Sequence, residues 1–492
     1  MRFLSNSTLA DLPDAVERPY YDRGAVSVGI VHLGLGAFHR AHAAVATEAV
    51  LNGGDRRWGI CGVSLRAPDT RDALEPQDGL YTVLVRDGSG DRLQVVGAIN
   101  QTLVAPENAG AVLDALCAPS TRIVTLTVTE KGYCHRPSTG ALDETHPDIL
   151  HDLADPERPR TAAGFLTEAI RRRRDGGLPP FTVLCCDNLP SNGRTLGNVV
   201  ARFAQMRDPE LGAYVRAAVP FPSTMVDRIV PATTDVDRAV VEAALGLADR
   251  WPVVTEPFTQ WVIEDRFASG RPDWPGATFV ADVEPFELMK LRLLNGSHST
   301  LSYLGLLDGR ETVADTMAAP GFAAFLAAMM REEVSPTLPA LPGFDVASYR
   351  DTLLARFRNP ALRHRTAQIA MDGSQKIPQR LLGTIRDRLR EGRPFPRLAL
   401  GVAAWMLHAT GRDRNAAAVE VRDPMAARIR EVVGERTGAA ELLDGYLRLD
   451  EVFGEDLAAS DAFRAAVGGA LEALLRDGAA ASVLRWAESD PK

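Results

Sequence analysis

Between residues 25 and 283, short runs of apolar and β-branched residues alternate with longer stretches whose apolar positions recur every three or four residues. The runs at 25–33, 58–65, 93–99, 122–129, 181–186, 221–230 and 279–283 predict strands. Ile123-Val-Thr-Leu-Thr-Val128 is almost wholly apolar or β-branched, as expected of a parallel strand covered on both faces. Helical spacing fills the intervals, for example at 41–51 and 162–173. This alternation predicts an open α/β sheet. The pattern changes after Ala268-Ser-Gly-Arg-Pro-Asp-Trp-Pro-Gly276: from Glu284 onward β-rich runs almost vanish, and alanine, leucine and arginine dominate at 321–333, 398–407 and 463–475. That half predicts helices, with breaks at Pro336, Pro342, Pro360, Pro378 and Pro424. Two domains are expected, an α/β domain over residues 1–281 and a mainly α-helical domain over 282–492.

Composition narrows the function. A chain of 492 residues exceeds what one compact core usually holds, and 46% hydrophobic with 24% charged residues is ordinary for a globular protein. A net charge of −9 argues against a nucleic-acid or anionic-membrane partner. Arg171-Arg172-Arg173-Arg174, followed by Gly176-Gly177, reads as a solvated helix end. No apolar run approaches the roughly 18 residues of a membrane span, and the N-terminal stretch lacks the apolar core of a signal peptide. The five cysteines form no C-x-x-C pair, which fits a cytoplasmic protein without a disulfide framework. The nine histidines show no H-E-x-x-H spacing, so no metal site is expected.

The strand at 25–33 runs into Gly34-Leu-Gly-Ala-Phe-His-Arg-Ala-His42 and then a helix. A glycine turn there lets backbone N–H groups approach a pyrophosphate, which makes the first domain Rossmann-like. The fingerprint is incomplete, with Gly34 and Gly36 in place and His39 where a third glycine would stand. Past the next strand, Arg66 and Asp69 are both present; the acidic residue favours NAD over NADP. Thr127-Val-Thr-Glu-Lys-Gly-Tyr133 and Cys186-Asp-Asn-Leu-Pro-Ser-Asn-Gly193 also follow strands, where open α/β sheets bind ligands.

A different chemistry resides in Glu287-Leu-Met-Lys-Leu-Arg-Leu-Leu-Asn-Gly-Ser-His298. On an ideal helix, Glu287, Asn295 and His298 lie about 60°, 140° and 80° from Lys290, so all four share one face. The remaining faces are apolar, which predicts a buried helix. Burying an ammonium is costly unless it is paired or neutralised. A desolvated lysine is a candidate general base; on spacing alone the simpler reading is a partly buried Glu287–Lys290 ion pair.

Together these segments, with Met225-Val-Asp-Arg-Ile-Val-Pro231, Glu256-Pro-Phe258 and Trp261-Val-Ile-Glu-Asp265, resemble the polyol-specific long-chain dehydrogenase (mannitol dehydrogenase) family from about residue 20 to about residue 480. The resemblance implies an NAD-dependent enzyme oxidising a secondary alcohol without a metal. It makes Lys290 the general base and gives Asn295 and His298 the substrate oxygen. Asn188 joins the oxyanion-binding site, with Asp227 near it, and Glu287 gates a proton path to water. Cofactor contacts fall to Gly34, Gly36, Phe38, Arg40, Asp69, Glu130 and Lys131.

The stretch Leu362-Arg-His-Arg-Thr-Ala-Gln-Ile-Ala-Met-Asp-Gly-Ser-Gln-Lys-Ile-Pro-Gln-Arg380 is similar to the mannonate oxidoreductase branch, with Gln368 where the mannitol branch carries arginine. It implies interconversion of D-mannonate and D-fructuronate. Arg363, Arg365, Lys376 and Arg380 are candidate partners for the substrate carboxylate. A mannitol or arabinitol 2-dehydrogenase is the alternative within the family; a sugar-acid epimerase or a non-catalytic nucleotide-binding sensor is the alternative outside it. The expected partner is a small sugar acid or polyol, bound by a monomer or small homo-oligomer.

Overall fold

The structure, a computed structural model, describes residues 2–87, 90–136, 139–341, 343–412 and 418–488. The chain divides into two compact units, Met1–Glu284 and Pro285–Lys492.

Among the described residues, the first unit holds eleven strands: β1 (Val28–Leu33), β2 (Gly59–Ser64), β3 (Tyr81–Asp87), β4 (Gly90–Val96), β5 (Ile99–Val104), β6 (Ile123–Leu126), β7 (Thr182–Cys185), β8 (Thr224–Asp227), β9 (Val253–Thr255), β10 (Gln260–Glu264) and β11 (Ala277–Val280). Five of them form a parallel sheet in the order β5-β2-β1-β6-β7. Alternate residues of β1 feed two cores. Val31 and Leu33 join Val63, Val124, Leu126, Phe165 and Val183 on one face. Ile30 joins Trp58, Ile60, Ile123, Leu184 and Trp261 on the other. Cover on both faces explains the near-continuous apolar runs.

The chain steps from β1 outward through β2 to β5, then returns to the opposite side of β1 with β6 and β7. The loops after β1 and β6 therefore flank the topological switch point, where such sheets bind ligands beyond their carboxyl ends.

The remaining strands lie elsewhere. The run at 93–99 is not one strand but the boundary between β4 and β5. The runs at 221–230 and 279–283 contribute β8 and β11 to a separate sheet, β11-β10-β8, in which β8 pairs antiparallel with β10. A third sheet, β4-β3-β9, includes two strands that the apolar pattern did not mark.

The arginine run is more than a solvated helix end. Arg171 and Arg172 pair with buried Glu168, and Arg173 is buried with its guanidinium on the carbonyls of Leu116, Ala118 and Pro179.

The second unit is helical, with no named strand among the described residues. Pro336 and Pro360 sit in short 3-10 turns and Pro424 precedes the helix Ala426–Val433, while Pro342 lies outside the described residues. Pro378 does not end its helix: Gly373–Ile377 continues through a π-helical turn, Pro378–Leu382, into Gly383–Arg390. The wider turn absorbs the N–H that proline lacks. No described helix is long and apolar enough to cross a membrane.

Candidate active site

Glu287 and Lys290 lie on the helix Glu284–Lys290, and His298 on the helix Gly296–Leu307. Between them Leu291–Asn295 forms a π-helical turn, with the Gly296 N–H donating to the Leu291 carbonyl. The turn changes the geometry expected of an ideal helix. One added residue takes about 100° out of the downstream phase, so Asn295 moves to about 40° and His298 to about −20° from Lys290. The four polar groups contract from an arc of about 140° to one of about 80°. Lys290 and His298 are buried; Asn295 and Glu287 are half-buried.

A second π turn, Pro378–Leu382, packs on the first, and Gly296 makes the approach possible. A Cβ there would stand 2.8 Å from the Arg380 carbonyl. Arg380 in turn donates from Nη1 to Ser299 Oγ at 3.1 Å.

His298 packs tilted on Phe357, ring centroids 4.7 Å apart, and edge-to-face on His364 at 5.1 Å. Burial, reinforced by His364, Arg356, Arg380 and Lys290, holds its pKa well below the ordinary histidine value, so the ring is neutral. Its Nε2 is buried without a hydrogen-bond partner among the described residues. A buried polar atom without a partner needs an explanation, and a bound water or ligand would supply one.

The structure sorts the four cations proposed for a carboxylate. Arg363 and Arg365 are exposed. The Lys376 ammonium donates to the carbonyls of Met371 and Ile369. Only Arg380 is among the cations that act on His298, and it is joined there by Arg356, which is buried and was not singled out by the motif.

In the first unit, Gly34 has φ +96, and a Cβ there would come within 2.2 Å of the Thr127 carbonyl. The loops after β1 and β6 thus touch, and only glycine fits the contact. At Gly36 the situation reverses: a Cβ would meet only the Gly34 carbonyl, at an ordinary 3.7 Å. Protein packing does not require Gly36, and the open side of its turn is free for a dinucleotide backbone. His39 is buried and stacks on His32 with centroids 3.4 Å apart and planes 11° apart. His32 reaches Thr125, Thr127 and the Gly34 carbonyl. Burial pushes its pKa down to about 3. A stacked imidazole pair occupies the place that close glycine packing fills in the complete fingerprint.

Phe38 is half-buried and stacks on His42. Arg40 turns inward, with its guanidinium on the Trp251 carbonyl and over the Tyr81 ring. Its burial, which lowers its pKa to about 10, gives it a packing role in this loop. Asp69 is exposed in the first turn of the helix Asp69–Leu74, and Arg66 is exposed nearby. Glu130 and Lys131 are exposed on the 3-10 turn Glu130–Tyr133.

Asp227 ends β8 and is buried, while Asn188 is exposed three residues past the end of β7. Two neighbours within the same motif, to which no site role was given, organise this end. Asp187 Oδ2 accepts from Val128 N, Thr129 N and the Tyr133 hydroxyl at 2.8, 3.1 and 2.7 Å. Buried Asn192 donates from Nδ2 to the carbonyls of Cys185, Asp187 and Thr224, and accepts from Thr224 N. Both are short polar residues after a strand, a signal that turn chemistry alone also produces. No cluster of three or more potential metal ligands is present among the described residues.

A parallel switch-point sheet followed by a helical unit with a buried lysine face defines a two-domain oxidoreductase. The mannitol dehydrogenase Rossmann domain matches residues 28–276, and the mannitol dehydrogenase C-terminal domain matches residues 282–475. The chain belongs to the mannitol dehydrogenase family. It is 46% identical to D-mannonate oxidoreductase of Escherichia coli K12 over 480 residues, covering 96% of this chain and 98% of that protein. It is also 46% identical to the uncharacterized oxidoreductase YeiQ of the same organism over 477 residues, 96% of this chain and 97% of the relative. The solved ternary complex of Pseudomonas fluorescens mannitol 2-dehydrogenase with NAD and D-mannitol matches with a TM-score of 0.86 at 40% identity, covering 99% of this chain and all of that one.

Proposed function

We propose that the chain is an NAD-dependent oxidoreductase interconverting D-mannonate and D-fructuronate, with residues 1–281 as its cofactor domain and 282–492 as its substrate and catalytic domain. The observation that carries the reading is the orphaned Nε2 of neutral His298, on the narrow face that the π turn shares among Lys290, Asn295 and His298. NAD, when bound, supplies the hydride acceptor. Gly34 and Gly36 fit its pyrophosphate, and Phe38, Asp69, Glu130 and Lys131 are the remaining contacts on that side.

Lys290 takes the proton from the reacting hydroxyl, and His298 Nε2 holds the substrate by a hydrogen bond. The amides of Asn295 and Asn188 donate to the oxygen as negative charge develops; one such donor is worth about 10²–10³ in rate. Glu287, one helical turn before Lys290, passes the proton on to water, and buried Asp227 supports the Asn188 side. No metal enters this scheme.

Arg356 and Arg380, both acting on His298, support a substrate that carries a carboxylate. The 46% identity to a D-mannonate oxidoreductase supports the same choice. The test is NADH formation with D-mannonate, D-mannitol and D-arabinitol in parallel. D-mannonate is expected to be turned over most efficiently; faster turnover of D-mannitol would reassign the enzyme to mannitol oxidation.

A further inference from the structure

Asp187 is held on both of its ends. Its Oδ2 gathers two consecutive backbone N–H groups, from Val128 and Thr129, and the Tyr133 hydroxyl. Its carbonyl accepts from Leu189 N at 2.9 Å and from Asn192 Nδ2 at 3.0 Å. The peptide that leads into Asn188 is therefore pinned, although the Asn188 side chain is exposed. The clamped partner loop is strained: Thr129 has φ 65 and ψ 162. That region is essentially reserved for glycine, and a β-branched residue stays there only when its surroundings over-determine it. The Thr129 N–H on Asp187 is such a restraint. Ser191, at φ 44, is a second left-handed residue in the loop that carries Asn188.

We propose that Asp187 is a positioning residue, whose carboxylate locks the strained loop after β6 against the end of β7 and so fixes where Asn188 presents its amide. The inference rests on the assignment of Asn188 as a donor to the substrate oxygen. Asp187 acts through its neighbour and takes no proton in the reaction. An aspartate suits the task because one ionised oxygen accepts several N–H and O–H groups at once, and charge-assisted bonds of this kind are about twice as strong as neutral ones.

The test is a double-mutant cycle on the full chain, following NADH formation with D-mannonate, or with D-mannitol if the substrate panel selects it. Asn188→Ala is expected to lower kcat about 10²–10³-fold. Asp187→Asn, which keeps the shape and removes the charge, is expected to lower kcat about 10²-fold, the scale of a 1 Å misplacement, with a smaller change in KM. The double variant should match Asn188→Ala within about threefold, since a misplaced amide that is already absent costs nothing more. Multiplying losses in the double variant would overturn the clamp. Full activity in Asn188→Ala would overturn the reading of the site and the clamp with it. If Asp187→Asn does not fold, Tyr133→Phe removes one donor from Oδ2 and keeps the ring. Its smaller loss must vanish in the Asn188→Ala background, and persistence there would overturn the proposal.

Discussion

Lys290 and Asn295 stand at the two ends of a π-helical turn, and the residue which that turn adds brings their side chains toward one line. Spaced five apart on a straight helix they would diverge by about 140°; across the wider turn they diverge by about 40°. π turns recur at functional sites, and here the added residue gathers Lys290, Asn295 and His298 onto one narrow face, as the proposed chemistry requires.

The turn depends on Gly296, whose missing Cβ admits the Arg380 carbonyl. Gly296→Ala is expected to destabilise the chain by about 1–3 kcal/mol, the usual cost of overpacking. Its kcat should fall well beyond the fraction of enzyme that unfolds, because the two π turns are pushed apart. Urea unfolding and steady-state kinetics on the same preparation check this; an unchanged kcat would mean that the packing of the turns does not set the catalytic geometry.

The two glycines of the nucleotide turn separate packing from ligand binding. Gly34→Ala forces a Cβ against the Thr127 carbonyl at a left-handed φ and should unfold or aggregate the chain. Gly36→Ala has room, so its stability should stay within about 0.5 kcal/mol of wild type. If the cofactor backbone lies against Gly36, NADH affinity measured by fluorescence titration must nevertheless drop. Unaltered affinity would remove Gly36 from the cofactor contacts.

His298 is neutral throughout the working range because its pKa is pushed well down by burial and by the surrounding cations. The acid limb of the kcat/KM profile therefore belongs to a group other than His298. A His298→Asn enzyme should be slower yet keep that limb at the same pH. Loss of the limb in this variant would transfer it to His298.

Stability should fall as pH drops below about 6.5, the ordinary histidine value. His32, His39, His298, His364 and His408 all have folded-state pKa values below it, chiefly from burial. The unfolded chain takes up these protons first, so stability present above pH 6.5 is lost on acidification. Glu48 and Glu333, raised to about 7 by burial, act oppositely; their contribution is complete below about 4.5 and is lost as pH rises through 7. Asp187, whose pKa burial also raises, acts in the same sense as the two glutamates; five groups outweigh three, and the melting temperature should drop between pH 6.5 and 5. His32→Gln removes one of the five and should flatten that slope by up to about 1.4 kcal/mol per pH unit.

The parallel sheet was legible because β1, β2, β6 and β7 are covered on both faces and read as apolar runs. Short β9 and β10, and the half-exposed end of β3, leave no such mark. The buried lysine face could be seen in the residues, but its phase could not. A helix that is apolar all round has no amphipathic stripe against which an extra residue would show. Arg356 was hidden for a related reason: a lone arginine in a helical pattern reads as surface, and only the fold brings it to His298. Arg40 shows the converse, since a basic residue in a nucleotide loop reads as a ligand until its guanidinium is found on the Trp251 carbonyl.

The most direct test of the account is Lys290→Ala, assayed for NADH formation with D-mannonate and for NADH binding. Loss of a general base should lower kcat about 10²–10⁴-fold, while NADH affinity stays nearly unchanged, because the proposed cofactor contacts all fall within residues 34–131. Activity within a few-fold of wild type would contradict the assignment of Lys290 as the base, and with it the central claim about how this chain oxidises its substrate.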